Sequence, residues 1–134
     1  MDFTDINYLA VFVAALAGFI IGAIWYSPLL FSKVWVRETG LKEEELKNAN
    51  MVKIFGTSFV LMFIQSVMLS SFVADEEGAL FRMIAGMIIA VGWIVTSIGV
   101  LFLFERRSFK LFLIDAGYFV VTFMVMGAIL GAWK

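Results

Sequence analysis

The chain contains no cysteine, no histidine and a single proline, and charged residues make up only 16% of its 134 positions. Without cysteine there is no disulfide, no thiolate nucleophile and no sulfur ligand. Without histidine, imidazole acid–base chemistry is excluded, and with it zinc sites built from His or Cys. No metal site and no cofactor is expected. The net charge of −1 offers no basic surface to nucleic acid.

What is present in excess is apolar. Hydrophobic residues are 63% of the chain, with 15 Phe and 8 Met, whereas a soluble domain is about half apolar and about a quarter charged. The few charges are clumped, and between the clumps lie four apolar stretches, 6–26, 54–73, 83–104 and 111–133, of 20 to 23 residues each. A helix of that length crosses a hydrocarbon core of about 30 Å. The expected fold is all-α: a polytopic membrane protein, one domain over 1–134, with four transmembrane helices and a cytoplasmic-side interfacial amphipathic segment at 28–50. Ala15-Leu16-Ala17 resembles a signal-peptidase site. Asp2 and Asp5 precede the apolar run in place of basic residues, and the run continues past Ala17, so retention of the first helix is expected.

Lysine and arginine set the orientation, because cytoplasmic loops keep them. Lys33, Arg37, Lys42, Lys47 and Lys53 lie in the first connection, and Arg106, Arg107 and Lys110 in the third. The second connection has only Arg82, beside Asp75-Glu76-Glu77, and is expected to let that arginine snorkel to the surface. Both termini are therefore expected outside. The bilayer is the first partner implied, and a homo-oligomer the second.

Trp25-Tyr26-Ser27-Pro28 closes the first apolar run. Trp and Tyr prefer the headgroup layer, and Ser27 then Pro28 reads as N-cap and first position of a new helix. Leu30/Val34 and Phe31/Trp35 form apolar i,i+4 pairs, Lys33/Arg37 a basic one, and Gly40 suits the stop. A second, wetter helix is expected over 41–50, with Glu43 and Lys47 one turn apart.

Within the spans, Ala10, Ala14, Gly18 and Gly22 recur every fourth residue, a row that lets another backbone approach. It reads as a packing face in the bundle or as an oligomer contact. Gly127 and Gly131, with Gly117, Ala116 and Ala128, gather on one face of the last stretch. Asn7 reads as a cap. Gln65 lies near mid-membrane, where an unpaired amide is costly, and Trp93 at the same depth needs an acceptor for its indole N–H; each is the other's expected partner. Asp115, Tyr118 and Thr122 fall at i, i+3 and i+7 on the other face of the last stretch. An acidic residue inside a span is a functional-site hypothesis. Asp115 reads either as a structural partner of Lys110, Arg106, Arg107, Tyr26 or Ser27, or as a proton or cation site.

Trp25-Tyr26-Ser27-Pro28-Leu29-Leu30-Phe31 with Lys33 and Trp35, Asp115-Ala116-Gly117-Tyr118, and the closing 126–133 resemble the bacterial membrane family known as domain of unknown function family 1761. The resemblance runs over nearly the whole chain. It implies a small four-helix inner-membrane protein and brings no activity, ligand or catalytic residue. The functions that remain are a homo-oligomeric scaffold or accessory protein, and an oligomeric channel or small transporter using Asp115, Tyr118, Thr122, Gln65 and Trp93. An enzyme is not expected, because only Glu105 and Asp115 offer an acid and a base and no third group orients them. The corner at residues 25–28 falls at the level of Asp115 and reads as a lid or brace over the cytoplasmic mouth of the bundle.

Overall fold

Each apolar stretch becomes a helix whose end is fixed by a polar or left-handed residue. A computed structural model describes residues 3–42, 44, 47–72 and 78–133. Helix α1 (Tyr8–Trp25) starts where the Asn7 side chain accepts the Ala10 N–H at 3.1 Å, supplying one of the acceptors that a helix N-terminus lacks. Helix α2 (Ser32–Thr39) stops at Gly40, whose φ of 72° suits a residue without Cβ. Helix α3 (Met51–Phe72) follows Asn50, whose side chain accepts from Lys53 N–H at 3.1 Å. Helix α4 (Ala79–Glu105) contains a π-helical segment over Ala90–Val95 and ends at Arg106, left-handed with φ 58°. Ser108 caps helix α5 (Phe109–Ala132) by accepting from Leu111 N–H at 3.1 Å.

α1, α3, α4 and α5 are long and apolar enough to cross a membrane. The chain is an all-helical, multi-pass membrane protein.

Several helix starts differ from expectation. α3 and α4 begin at Met51 and Ala79, earlier than 54 and 83, because a helix continues past the last apolar residue wherever its N–H groups find acceptors. The helix after the corner begins later, at Ser32 and not at Pro28. Ser27 does not cap it. Its hydroxyl donates back to the Ile24 carbonyl at 2.6 Å and accepts from Leu29 N–H at 3.2 Å, while its carbonyl accepts from Leu30 and Ser32 N–H. Residues 26–31 are thus a closed turn, and Leu30 and Phe31 belong to it. The expected helix over 41–50 and its Glu43–Lys47 pair fall partly outside the described residues.

α5 is the most buried of the four spans. It packs between α1 and α4, with α3 on α1. The α4–α5 contact brings backbones together: a Cβ at Gly86 would strike the Phe123 carbonyl, one at Gly127 the Arg82 carbonyl, and one at Gly131 the Gly78 carbonyl. Gly18 sits where α1, α3 and α5 meet, since a Cβ there would lie 2.7 Å from Met62 Sδ and 2.9 Å from Thr122 Cγ2. A Cβ at Gly22 would lie 3.0 Å from the Tyr118 hydroxyl, and Ala10 and Ala14, further along the same row, are buried. Ser66, fully buried, donates to the Val11 carbonyl at 2.9 Å and ties α3 to α1. The small-residue rows are therefore used inside one subunit, where lipid offers little apolar driving force and close van der Waals contact must replace it.

Overpacking a tight contact costs about 1–3 kcal/mol and sometimes more. Gly86→Leu and Gly127→Leu should lower the thermal unfolding midpoint in detergent, followed by circular dichroism. Gly56→Leu, with nothing within 4 Å of its Cβ direction, should leave it nearly unchanged.

Candidate functional site

The end of α1 carries two aromatic residues whose polar atoms both reach α5. Trp25 donates its indole N–H to the Ile114 carbonyl at 2.9 Å. Tyr26 donates its hydroxyl to Asp115 Oδ1 at 2.7 Å. These consecutive residues grip one turn of α5, and Gly117 makes room for them: a Cβ there would be 3.2 Å from Trp25 Cζ2. Gly117 thus faces the corner and does not join Gly127 and Gly131 against α4.

The turn then folds α2 against the same place. Phe31 N–H donates to the Trp25 carbonyl at 3.1 Å, and the two rings lie 5.0 Å apart. The Trp35 ring meets Tyr26 edge-on at 5.9 Å and its indole approaches Asp115. Tyr26 also meets Tyr118 edge-on, with centroids 5.5 Å apart. Lys33 and Arg37 point away from this cluster and are exposed, while Val34 and Trp35 are half-buried. Pro28 and Leu29 form the exposed tip of the turn, and Pro28 has no N–H to leave unpaired there.

The polar stripe of α5 runs inward from this clamp. Asp115 is half-buried under Tyr26, and Tyr118 is buried and donates to the Gly18 carbonyl at 3.0 Å. Thr122 is fully buried, and its hydroxyl has no hydrogen-bond partner among the described residues. All three face α1. Of the structural partners available to Asp115, Tyr26 is the one that bonds it; Ser27 turns back onto α1, and Arg107 pairs with Glu105 at 3.5 Å on the exposed rim.

Gln65 and Trp93 do not belong to this group. Both line a separate groove between α3 and α4, about 380 Å³ in volume and floored by Phe123. The expected bond between them is not made among the described residues. Trp93 is 64% exposed, because the π-helical segment over Ala90–Val95 inserts an extra residue per turn and shifts the helix face. The Thr96 and Ser97 hydroxyls donate to their own helix, at the Gly92 and Trp93 carbonyls.

Arg82 is the residue that sequence reasoning misplaced. It is 2% exposed and donates from Nη1 to the Leu130 carbonyl at 3.3 Å; it does not snorkel. Its expected acidic neighbours, Asp75, Glu76 and Glu77, lie outside the described residues. A buried cation at the C-terminal end of α5 meets the negative end of the helix dipole. The signal was the four-residue spacing of Arg82, Gly86 and Ala90, which are the buried positions of their helix.

A family model described as "Protein of unknown function (DUF1761)" matches residues 9–131. The chain belongs to this family. No curated protein and no solved structure matches it. In this DUF1761 member two of the three stretches that resemble the family in sequence, 25–31 and 115–118, interlock in space through Trp25, Tyr26, Asp115 and Gly117.

A hydrogen bond to a charged acceptor is worth about 1.5–3 kcal/mol. Tyr26→Phe and Asp115→Ala should each destabilise the detergent-solubilised protein by about that amount, and the double variant should cost little more than either single one. Such non-additivity, measured by thermal unfolding, is what a direct contact produces.

Proposed function

We propose that this DUF1761 protein is a homo-oligomeric scaffold or accessory protein of the bacterial inner membrane, with no catalysis of its own. The observation that carries this reading is the 2.7 Å bond from Tyr26 to Asp115. The one acidic side chain well inside a span is engaged in holding α1, α2 and α5 together, as a structural residue would be. Tyr118 is engaged in the same way, on Gly18. Gln65 and Trp93 open on a different groove, so the five polar residues form no continuous path through one subunit. The only other acid offered for catalysis, Glu105, pairs with exposed Arg107.

The corner braces the cytoplasmic mouth in this reading, and α2 lies at the interface. Exposed Lys33 and Arg37, one turn apart on the side away from Trp35, are placed to meet anionic headgroups. Both termini lie outside in this reading, which the eight basic residues of the first and third connections support. A cysteine introduced at Lys33 should be labelled by an impermeant maleimide only after the cells are opened, and one at Asp5 should be labelled in intact cells.

One observation favours a second reading, a channel or small transporter: the fully buried Thr122 hydroxyl, unpartnered among the described residues, on the same face as Asp115. Proton flux in liposomes decides between them. The scaffold reading expects no flux above empty vesicles for either the natural protein or Asp115→Asn. A flux that Asp115→Asn abolishes would establish the second reading.

A further inference from the structure

The glycine rows are consumed inside the subunit, so a second copy must dock elsewhere. On α3, Ile54, Ser58, Leu61, Gln65, Met68 and Phe72 follow one another at alternating steps of four and three. That is the seam of a left-handed helix pair. Ile54, Leu61, Met68 and Phe72 are each more than 40% exposed, and Ser58 and Gln65 are half-exposed among them. The buried face of α3, with Met62, Ser66 and Leu69, is a different one.

We infer that this seam is the contact between two copies of the chain, joined by a hydrogen bond between their Gln65 amides. This rests on the homo-oligomer reading above and names its surface. Three observations select a second copy as the occupant. First, Gln65 and Trp93 line an apolar groove within spanning helices and have no hydrogen-bond partner among the described residues. An acyl chain cannot satisfy either group, and at that depth there is no water to do so. Second, the groove stands open between α3 and α4, and its wall includes Gln65 and Met68 of the seam, so a helix laid along α3 would fill it. Third, the bias of the basic residues to the first and third connections gives every copy the same expected orientation, so two α3 helices meeting on this face run parallel. A two-fold axis along the membrane normal then brings each seam residue opposite itself. An amide is the side chain best suited to that position, because it both donates and accepts and so pairs with its own copy. The carbonyl lone pair it leaves over is available to the Trp93 indole N–H in the same groove. A single polar residue in an apolar seam also fixes register.

The cysteine-free chain makes the test direct. Leu61→Cys, Gln65→Cys and Met68→Cys, each alone, are oxidised in native membranes, with Val60→Cys as an exposed control on another face of α3. Disulfide formation needs Cα atoms about 4.4–6.8 Å apart, so dimer bands are expected at the three seam positions and not at Val60. Gln65→Leu, with its fold verified by circular dichroism, should weaken the dimer about three- to twenty-fold, the range spanned by interhelical hydrogen bonds in membranes. Equal cross-linking at Val60 and the seam would mean random collision and would overturn the inference. An oligomeric mass with cross-links only from Val100→Cys or Leu103→Cys on α4 would overturn it while leaving the homo-oligomer reading standing. A mass equal to the 15.0 kDa monomer would overturn both.

Discussion

In a medium without water, each polar group in a span must find its partner within the protein, because an unpaired one costs several kcal/mol. α5 is where this chain meets most of that demand. One of its faces gives Asp115 to Tyr26, the Ile114 carbonyl to Trp25 and Tyr118 to Gly18. Another presents the Leu130 carbonyl to Arg82 and the bare backbone at Gly127 and Gly131 to α4. The other spans take their positions from these contacts, α1 and α4 directly and α3 by way of α1.

The two faces hold by different physics. Toward α4 the contact is backbone against backbone, with Gly86, Gly127 and Gly131 removing the side chains that would separate the axes. Close approach gains dispersion that lipid tails would otherwise supply equally well to separated helices. Toward α1 the contact is aromatic and hydrogen-bonded, concentrated at the cytoplasmic-side end proposed for the corner. There Trp25, Tyr26, Phe31, Trp35 and Tyr118 pack ring against ring around one carboxylate. This second face also fixes α2, a helix too short to hold a position alone. The corner is thereby a structural joint between three elements.

Much of the fold was legible. Four apolar runs of spanning length, Asn7 as a cap and Gly40 as a stop follow from local chemistry, since a helix end needs an acceptor or a left-handed residue whatever surrounds it. The level shared by the corner and Asp115 could be read from topology and helix rise alone. The partners were harder. Ser27 offered a helix cap and instead closes α1, because its hydroxyl reaches Ile24 before any new helix has formed. Arg82 looked like a rim residue because α4 was expected to begin at 83; starting at Ala79 places it one turn inside. Gln65 and Trp93 share a depth but not a bond, since depth is one coordinate and the rotation set by the π-helical segment at Ala90–Val95 is another.

The sequence by itself therefore determined the class, the number of spans, the sidedness expected from its basic residues and the depth of polar side chains such as Gln65, Trp93 and Asp115, though not that of Arg82. These depend on composition and on position along a helix axis, both of which are one-dimensional. Only the tertiary structure decided that Trp25 and Tyr26 grip Asp115 and its turn, that Gly117 serves the corner while Gly127 serves α4, and that Arg82 is enclosed. Those facts depend on how each helix is rotated and which helix stands beside it. Rotation and neighbourhood are set by all contacts together, and a chain whose apolar residues surround every helix gives little periodicity from which to read them.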